Sequence, residues 1–137
     1  MKNSLVHALM KAVEYYDTKT FHHVLRVMKY VEENGMIPYE QKANSIILAV
    51  LHDIIEDTEC TIEELELSSY LEGCLLRLSK ADDESYVEYL QEIKDSSKFE
   101  PEAYWVKLAD MKDHLAQKET LTDKLKKKYL DGLPYLL

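Results

Sequence analysis

The segment from Asn44 to Thr58, NSIILAVLHDIIEDT, starts as the most apolar run of the chain and ends on ionisable groups. His52 and Asp53 interrupt it, two isoleucines follow, and Glu56 and Asp57 come next. On a helix, side chains three and four positions apart share a face, so His52 stands over Glu56 and Asp53 over Asp57. One imidazole and three carboxylates are thereby gathered within about a turn and a half. Carboxylates crowded at the edge of a core repel one another and are costly to desolvate. A divalent cation removes that cost, and the segment offers it both oxygen and nitrogen ligands. The ordinary alternative is an Asp57 that faces water and an Asp53 paired with a lysine.

Two more segments carry the same residue types. FHHVLRV sets His22 and His23 on a helix with an apolar stripe, and VKLADMKDHL sets Asp110 among Leu108, Ala109 and Met111. A histidine on such a face is more often a core residue with its hydrogen bonds met than a ligand. A buried Asp110 needs a partner, and His114, four residues on, supplies one within the helix. Read singly, neither segment requires a metal.

The elements that must position these groups are helical, because apolar residues recur at helical spacing through most of the chain. Leu5, Val6, Leu9, Met10 and Val13 predict a first helix. Val24, Val27, Met28 and Val31 predict a second, with Gly35 as its stop and Pro38 in the connection. A third begins near Glu40 and runs through the opening segment. Thr61 with Glu64 reads as a capping box that starts another. SSYLEGCLLRLSK, with Gly73 as a weak point, DDESYVEYLQEIKD, PEAYWVKLADMKDHLAQ opening on Pro101, and LTDKLKKKYLDGLPYLL complete the set. With only 3 Gly and 3 Pro in 137 residues, the turns of a β fold are missing. The expectation is all-α: one domain over residues 1–137, a compact bundle of about six to eight helices.

The net charge of −9 repels phosphate backbones, so nucleic acid is not an expected partner. A local site for a small phosphorylated molecule is compatible with that charge. Cys60 and Cys74 lack metal-ligand spacing and read as reduced thiols. No leader pattern and no apolar run of about 18 residues is present, so a cytoplasmic protein off the membrane is expected. The basic run Lys124 to Lys128 reads as a solvated helix face. The apolar LPYLL at the end is expected to pack either internally or across a homodimer.

His23, the His52–Asp53 pair and Asp110, in this order on separate helices, resemble the HD-domain metal-dependent phosphohydrolases. LHDIIEDT followed by TIEEL, and later VKLADMKDHL, resemble the RelA/SpoT-type hydrolase domain over roughly residues 15 to 115. SYVEYL and KKKYLDGLPYLL resemble its small stand-alone relatives. HVLRV is similar to the family's His-Pro-Leu-x-Val segment, which assigns the first ligand to His23 rather than His22. The resemblance implies one divalent metal held by His23, His52, Asp53 and Asp110. Mn²⁺ is the first choice, with Fe, Zn, Ni or Co as alternatives. It implies that Glu56 and Asp57 position or deprotonate the attacking water. The implied reaction removes the 3′-pyrophosphate of guanosine tetra- and pentaphosphate, a small nucleotide substrate. The alternatives are a nucleoside monophosphate phosphatase of the same superfamily and a metal-stabilised nucleotide-binding module without turnover.

Substrate contacts are drawn from fewer signals. The chain has no Gly-rich phosphate loop, which leaves Lys19, Arg26 and Lys107 as candidate phosphate cations. Tyr86 and Tyr89 match a Tyr-x-x-Tyr segment of the small relatives and are candidates to flank a nucleotide. Two departures stand out. DTKTFH occupies the place of a family loop with Arg-Lys and Gly that helps to hold guanine nucleotides. LADMKDH replaces LADRLHN, which sets His114 where the family has a substrate-contacting Asn. The resemblance therefore implies an intact metal centre with altered nucleotide recognition.

Overall fold

The computed structural model describes residues 4–137. Among these residues there is no strand, and the expected all-α bundle is the fold observed. Its helices are α1 (Ser4–Tyr15), α2 (Thr18–Glu33), α3 (Tyr39–Leu51), the single turn α4 (Ile54–Asp57), α5 (Ser69–Leu78), α6 (Tyr86–Asp95), α7 (Pro101–Ala116) and α8 (Asp123–Leu136). Two 3₁₀ turns, Ile62–Leu65 and Ser96–Lys98, link them.

Local chemistry sets where the helices start. The side chains of Asp17, Ser68, Ser85 and Thr122 accept from the backbone N–H groups of Thr20, Leu71, Glu88 and Leu125. Each such cap contributes about 1 kcal/mol by meeting an orphan donor. Pro101 opens α7, where no intrahelical N–H is needed. The end of α2 is closed differently from expectation. Asn34 caps it and Gly35 lies beyond, while Lys42 of α3 donates to the carbonyls of Val31, Glu32 and Asn34 at 2.9, 3.0 and 2.7 Å.

Two other expectations are corrected, and the first helix forms as expected. Thr61 bonds the Glu64 carboxylate at 3.3 Å rather than a backbone N–H, and the segment winds only the 3₁₀ turn Ile62–Leu65. The third helix stops at Leu51, so His52 and Asp53 occupy a break before α4. In α1 the buried residues are Ala8 and Ala12, whereas Met10 and Val13 are 64% and 68% exposed. Small alanines let α1 lie close on α3 with Leu5 and Leu9 partly buried against the core, while Met10 and Val13 are turned outward.

The core has two parts. The first is built by Val24, Val27 and Val31 of α2 with Leu48, Leu51, Ile54, Leu75 and Val106. The second is built by Tyr89, Leu90, Ile93, Met111, Tyr129 and Leu136. Leu136 is fully buried there, so LPYLL packs internally through that residue, while Leu137 stays exposed. Helix α7 lies between the parts and touches α2, α3, α5, α6 and α8. Charged groups on so enclosed a helix must find partners within the protein.

Candidate metal centre

Three separate segments bring ionisable groups to the surface of α7. His23 sits on the buried face of α2 with Val24 and Val27. His52 and Asp53 come from the break after α3. The His52 ring meets the Ala49 carbonyl through Nδ1 at 2.7 Å, taking over an acceptor of the last turn. On a continuous helix neighbouring side chains diverge by about 100°. At this break they meet, with His52 Nε2 3.3 Å from Asp53 Oδ2. Asp110 and Asp113 come from α7 and are 4% and 0% exposed.

Asp110 Oδ1 is the meeting point. It lies 2.9 Å from His23 Nε2 and 3.2 Å from both His52 Nε2 and His114 Nε2. His23 Nε2 is also 3.5 Å from Asp53 Oδ2. Ligand-type atoms of His23, His52 and Asp53 lie within 4.8 Å of one another, and so do those of His23, Asp110 and His114. An imidazole nitrogen has one lone pair, so His23 can serve only one ion. The two groups are thus overlapping parts of one cluster.

The donor set fits a cation for a specific reason. His52 Nδ1 faces a carbonyl oxygen, which only accepts, so that nitrogen carries the hydrogen. His23 Nδ1 faces Asp113 Oδ2 at 2.7 Å and is a donor by the same logic. Each neutral ring then presents an Nε2 lone pair to carboxylate oxygens that also bear lone pairs. Only a proton or a metal ion between them turns this repulsion into attraction. Holding a ligand histidine at its far nitrogen is the usual support of a metal site.

The charge balance agrees. Burial pushes the His52 imidazolium down, but Asp53 and Asp110 outweigh it and raise its pKa to about 9. His23 is raised in the same way, with Asp110 overcoming burial. Burial also works against the Asp110 anion, yet Lys107, His52, His114 and His23 hold it well below the usual carboxylate range. The cluster therefore demands positive charge at the imidazole nitrogens.

Around this centre lie the other residues singled out from the sequence. Lys107 is 8% exposed and donates to Asp110 Oδ2 at 2.8 Å, on the side away from the imidazoles. Arg26 donates through Nε to Asp113 Oδ1 at 2.8 Å. Lys107 is thus engaged by Asp110 of the cluster itself and Arg26 by Asp113 behind it. Glu56 and Asp57 stand on the exposed rim, and both are raised by partial burial. Glu56 accepts the Lys80 backbone N–H, and Asp57 is raised further by Asp53. Tyr89 is buried and donates to the Leu78 carbonyl at 2.6 Å, so it is a core residue. Tyr86 stands beside it with ring centroids 6.0 Å apart. Lys19 is exposed on the first turn of α2, and no ion pair joins it to the cluster. His22 is exposed where His23 is buried.

His114 stands closer to the centre than a substrate contact requires. Its ring is 4.5 Å from that of His23 and lies flat on Tyr129 at 4.9 Å with an interplanar angle of 8°. Sequence reasoning passed over Asp113, Tyr129 and Lys128. Asp113 had a visible signal, since it follows Asp110 by three positions on the same helix face. Tyr129 and Lys128 had none, because only the packing of α8 brings them here. Lys128 is exposed, as expected of the basic run, and its ammonium lies 4.5 Å from the Tyr86 ring centroid. No protein-family model matches the chain, and no curated protein matches it.

Proposed function

We propose that the protein is a metal-dependent phosphohydrolase of the HD-domain type, acting on a nucleotide phosphate or pyrophosphate. The first candidate is the 3′-pyrophosphate of a guanosine bispyrophosphate alarmone. The observation that carries this reading is the approach of carboxylate oxygens of Asp53 and Asp110 to the Nε2 atoms of both His23 and His52, with both histidines held at Nδ1. These four residues would hold one divalent ion, Mn²⁺ first. The ion, when bound, supplies Lewis acidity toward a phosphoryl oxygen and toward water.

The remaining steps belong to the chain. Asp113 and the Ala49 carbonyl keep both Nε2 lone pairs turned inward. Lys107 neutralises the outer oxygen of Asp110 and keeps that carboxylate ionised. Glu56 and Asp57 stand on the rim beside Asp53, where a carboxylate can accept a proton from an attacking water. Their pKa values, raised by burial, move them toward the range of a working base.

Hydrolysis of a nucleotide panel in Mn²⁺, including the alarmone, tests the reading. Release of pyrophosphate from the alarmone supports the first candidate. Orthophosphate release from monophosphates alone shifts the assignment to a nucleotidase of the same superfamily. Tight nucleotide binding without turnover replaces the enzyme by a binding module.

A further inference from the structure

Beside the cluster, two ammonium groups share one aromatic ring. Lys128 Nζ is 4.5 Å from the Tyr86 centroid and Lys107 Nζ is 5.7 Å from the same centroid. Lys107 has its counter-charge in Asp110. Lys128 is exposed; its ammonium lies over the rings of Tyr86 and Tyr129, and among the described residues it has no ion pair or hydrogen bond. The contrast with its neighbour is sharp, because Lys127 is paired with Asp131 at 2.6 Å. In a chain with 26 acidic and 17 basic residues, a carboxylate partner is easily found on the surface. Yet Lys128 is set without one beside other ammonium groups. Burial, then Lys107 and Lys80, push its pKa down. The Tyr86 hydroxyl, on the ring that both ammoniums approach, is itself buried without a hydrogen-bond partner.

The position is tied to the centre through packing. Tyr129 follows Lys128 and lies flat on His114, whose Nε2 is 3.2 Å from Asp110 Oδ1. Helix α8 thereby sets the Lys128 ammonium at the rim of the cluster. We propose that Lys128, over Tyr86 and backed by Lys107, is an anion site that receives a phosphate group of the substrate. An incoming phosphate supplies the counter-charge that the fold withholds. The substrate role rests on the function proposed above, whereas the anion site itself does not.

The test is calorimetric titration of inorganic pyrophosphate into chelator-treated protein. It compares the unchanged sequence with Lys128→Met, Lys128→Arg and Lys124→Met, the last another exposed lysine of the same helix that does not lie over the Tyr86 ring. Lys128→Met is expected to weaken binding by about tenfold or more, as for loss of a charged hydrogen bond. Lys128→Arg and Lys124→Met are expected to retain it. The inference is overturned if the unchanged protein binds no pyrophosphate. It is also overturned if Lys128→Met binds as before with an unaltered circular dichroism spectrum, or if Lys124→Met loses as much. Metal analysis of the untreated protein reads the other reading separately. Lys128-dependent binding by a protein that never holds an ion removes the hydrolase proposal and leaves the anion site standing.

Discussion

His23 Nδ1 lies 2.7 Å from Asp113 Oδ2, which fixes the ring as a donor on its outer side and turns its Nε2 lone pair toward Asp53 and Asp110. The link continues outward, since Asp113 also accepts from Arg26 at 2.8 Å. Burial raises the Asp113 carboxyl, but Arg26 and His23 outweigh it and keep the group an ionised acceptor.

Asp113→Asn keeps the shape of this link and removes its charge. Loss of such an outer partner typically lowers metal affinity by about 10- to 100-fold. Competition with a chelator of known affinity measures it. Affinity equal to that of the unchanged protein would show that Asp113 does not support the centre.

Gly132 lies where α8 packs on Leu90 and Tyr86 of α6. A Cβ there would lie 2.8 Å from Leu90 Cδ1 and 2.9 Å from Tyr86 Cε2. Replacing glycine by alanine inside a helix gains about 0.5–1 kcal/mol, whereas forcing an extra carbon into a packed core costs about 1–3 kcal/mol. Overpacking wins because Leu90 is fully buried and cannot swing away. Gly132→Ala is therefore expected to lower stability by about 1–2 kcal/mol, seen as a lower urea midpoint. A higher midpoint would mean that the two helices have room to part.

Cys60 and Cys74 are both buried free thiols. Burial, then Glu64, pushes Cys60 up to about 11; burial, then Glu102, pushes Cys74 up to about 12. A raised thiol pKa means a protonated, unreactive sulfur at pH 8, with roughly one part in a thousand of Cys60 as thiolate. Labelling with a disulfide reagent at pH 8 should stay slow in the folded protein and become fast for both thiols in urea. Rapid modification of either thiol without denaturant would contradict the packing around it.

How far the sequence carried depends on whether a feature is local or made by packing. Helical spacing, and a proline such as Pro101 at a helix start, act within a few residues, so the all-α class was legible. The approach of His23, His52, Asp53 and Asp110 was legible only through the family resemblance, because His23 and Asp110 read singly as ordinary core residues. The break at His52 was not, because a ring bond to the Ala49 carbonyl decides it and no residue there is a helix breaker. Lys107 and Arg26 looked like free cations, since their partners Asp110 and Asp113 lie at positions whose burial arises from the surrounding helices. Lys128 looked like one of a run of lysines; its place over the Tyr86 ring, next to a Lys127 paired with Asp131, comes from the packing of α8 on α6.

The central claim is that His23, His52, Asp53 and Asp110 share one ion. Elemental analysis for Mn, Fe, Zn, Ni and Co on protein purified without chelator tests it most directly. The unchanged chain should carry about one divalent ion, and His52→Ala and Asp53→Ala should each lose most of it while remaining helical. Equal metal content in all three proteins, or none in the unchanged chain even after incubation with these ions, would contradict the site.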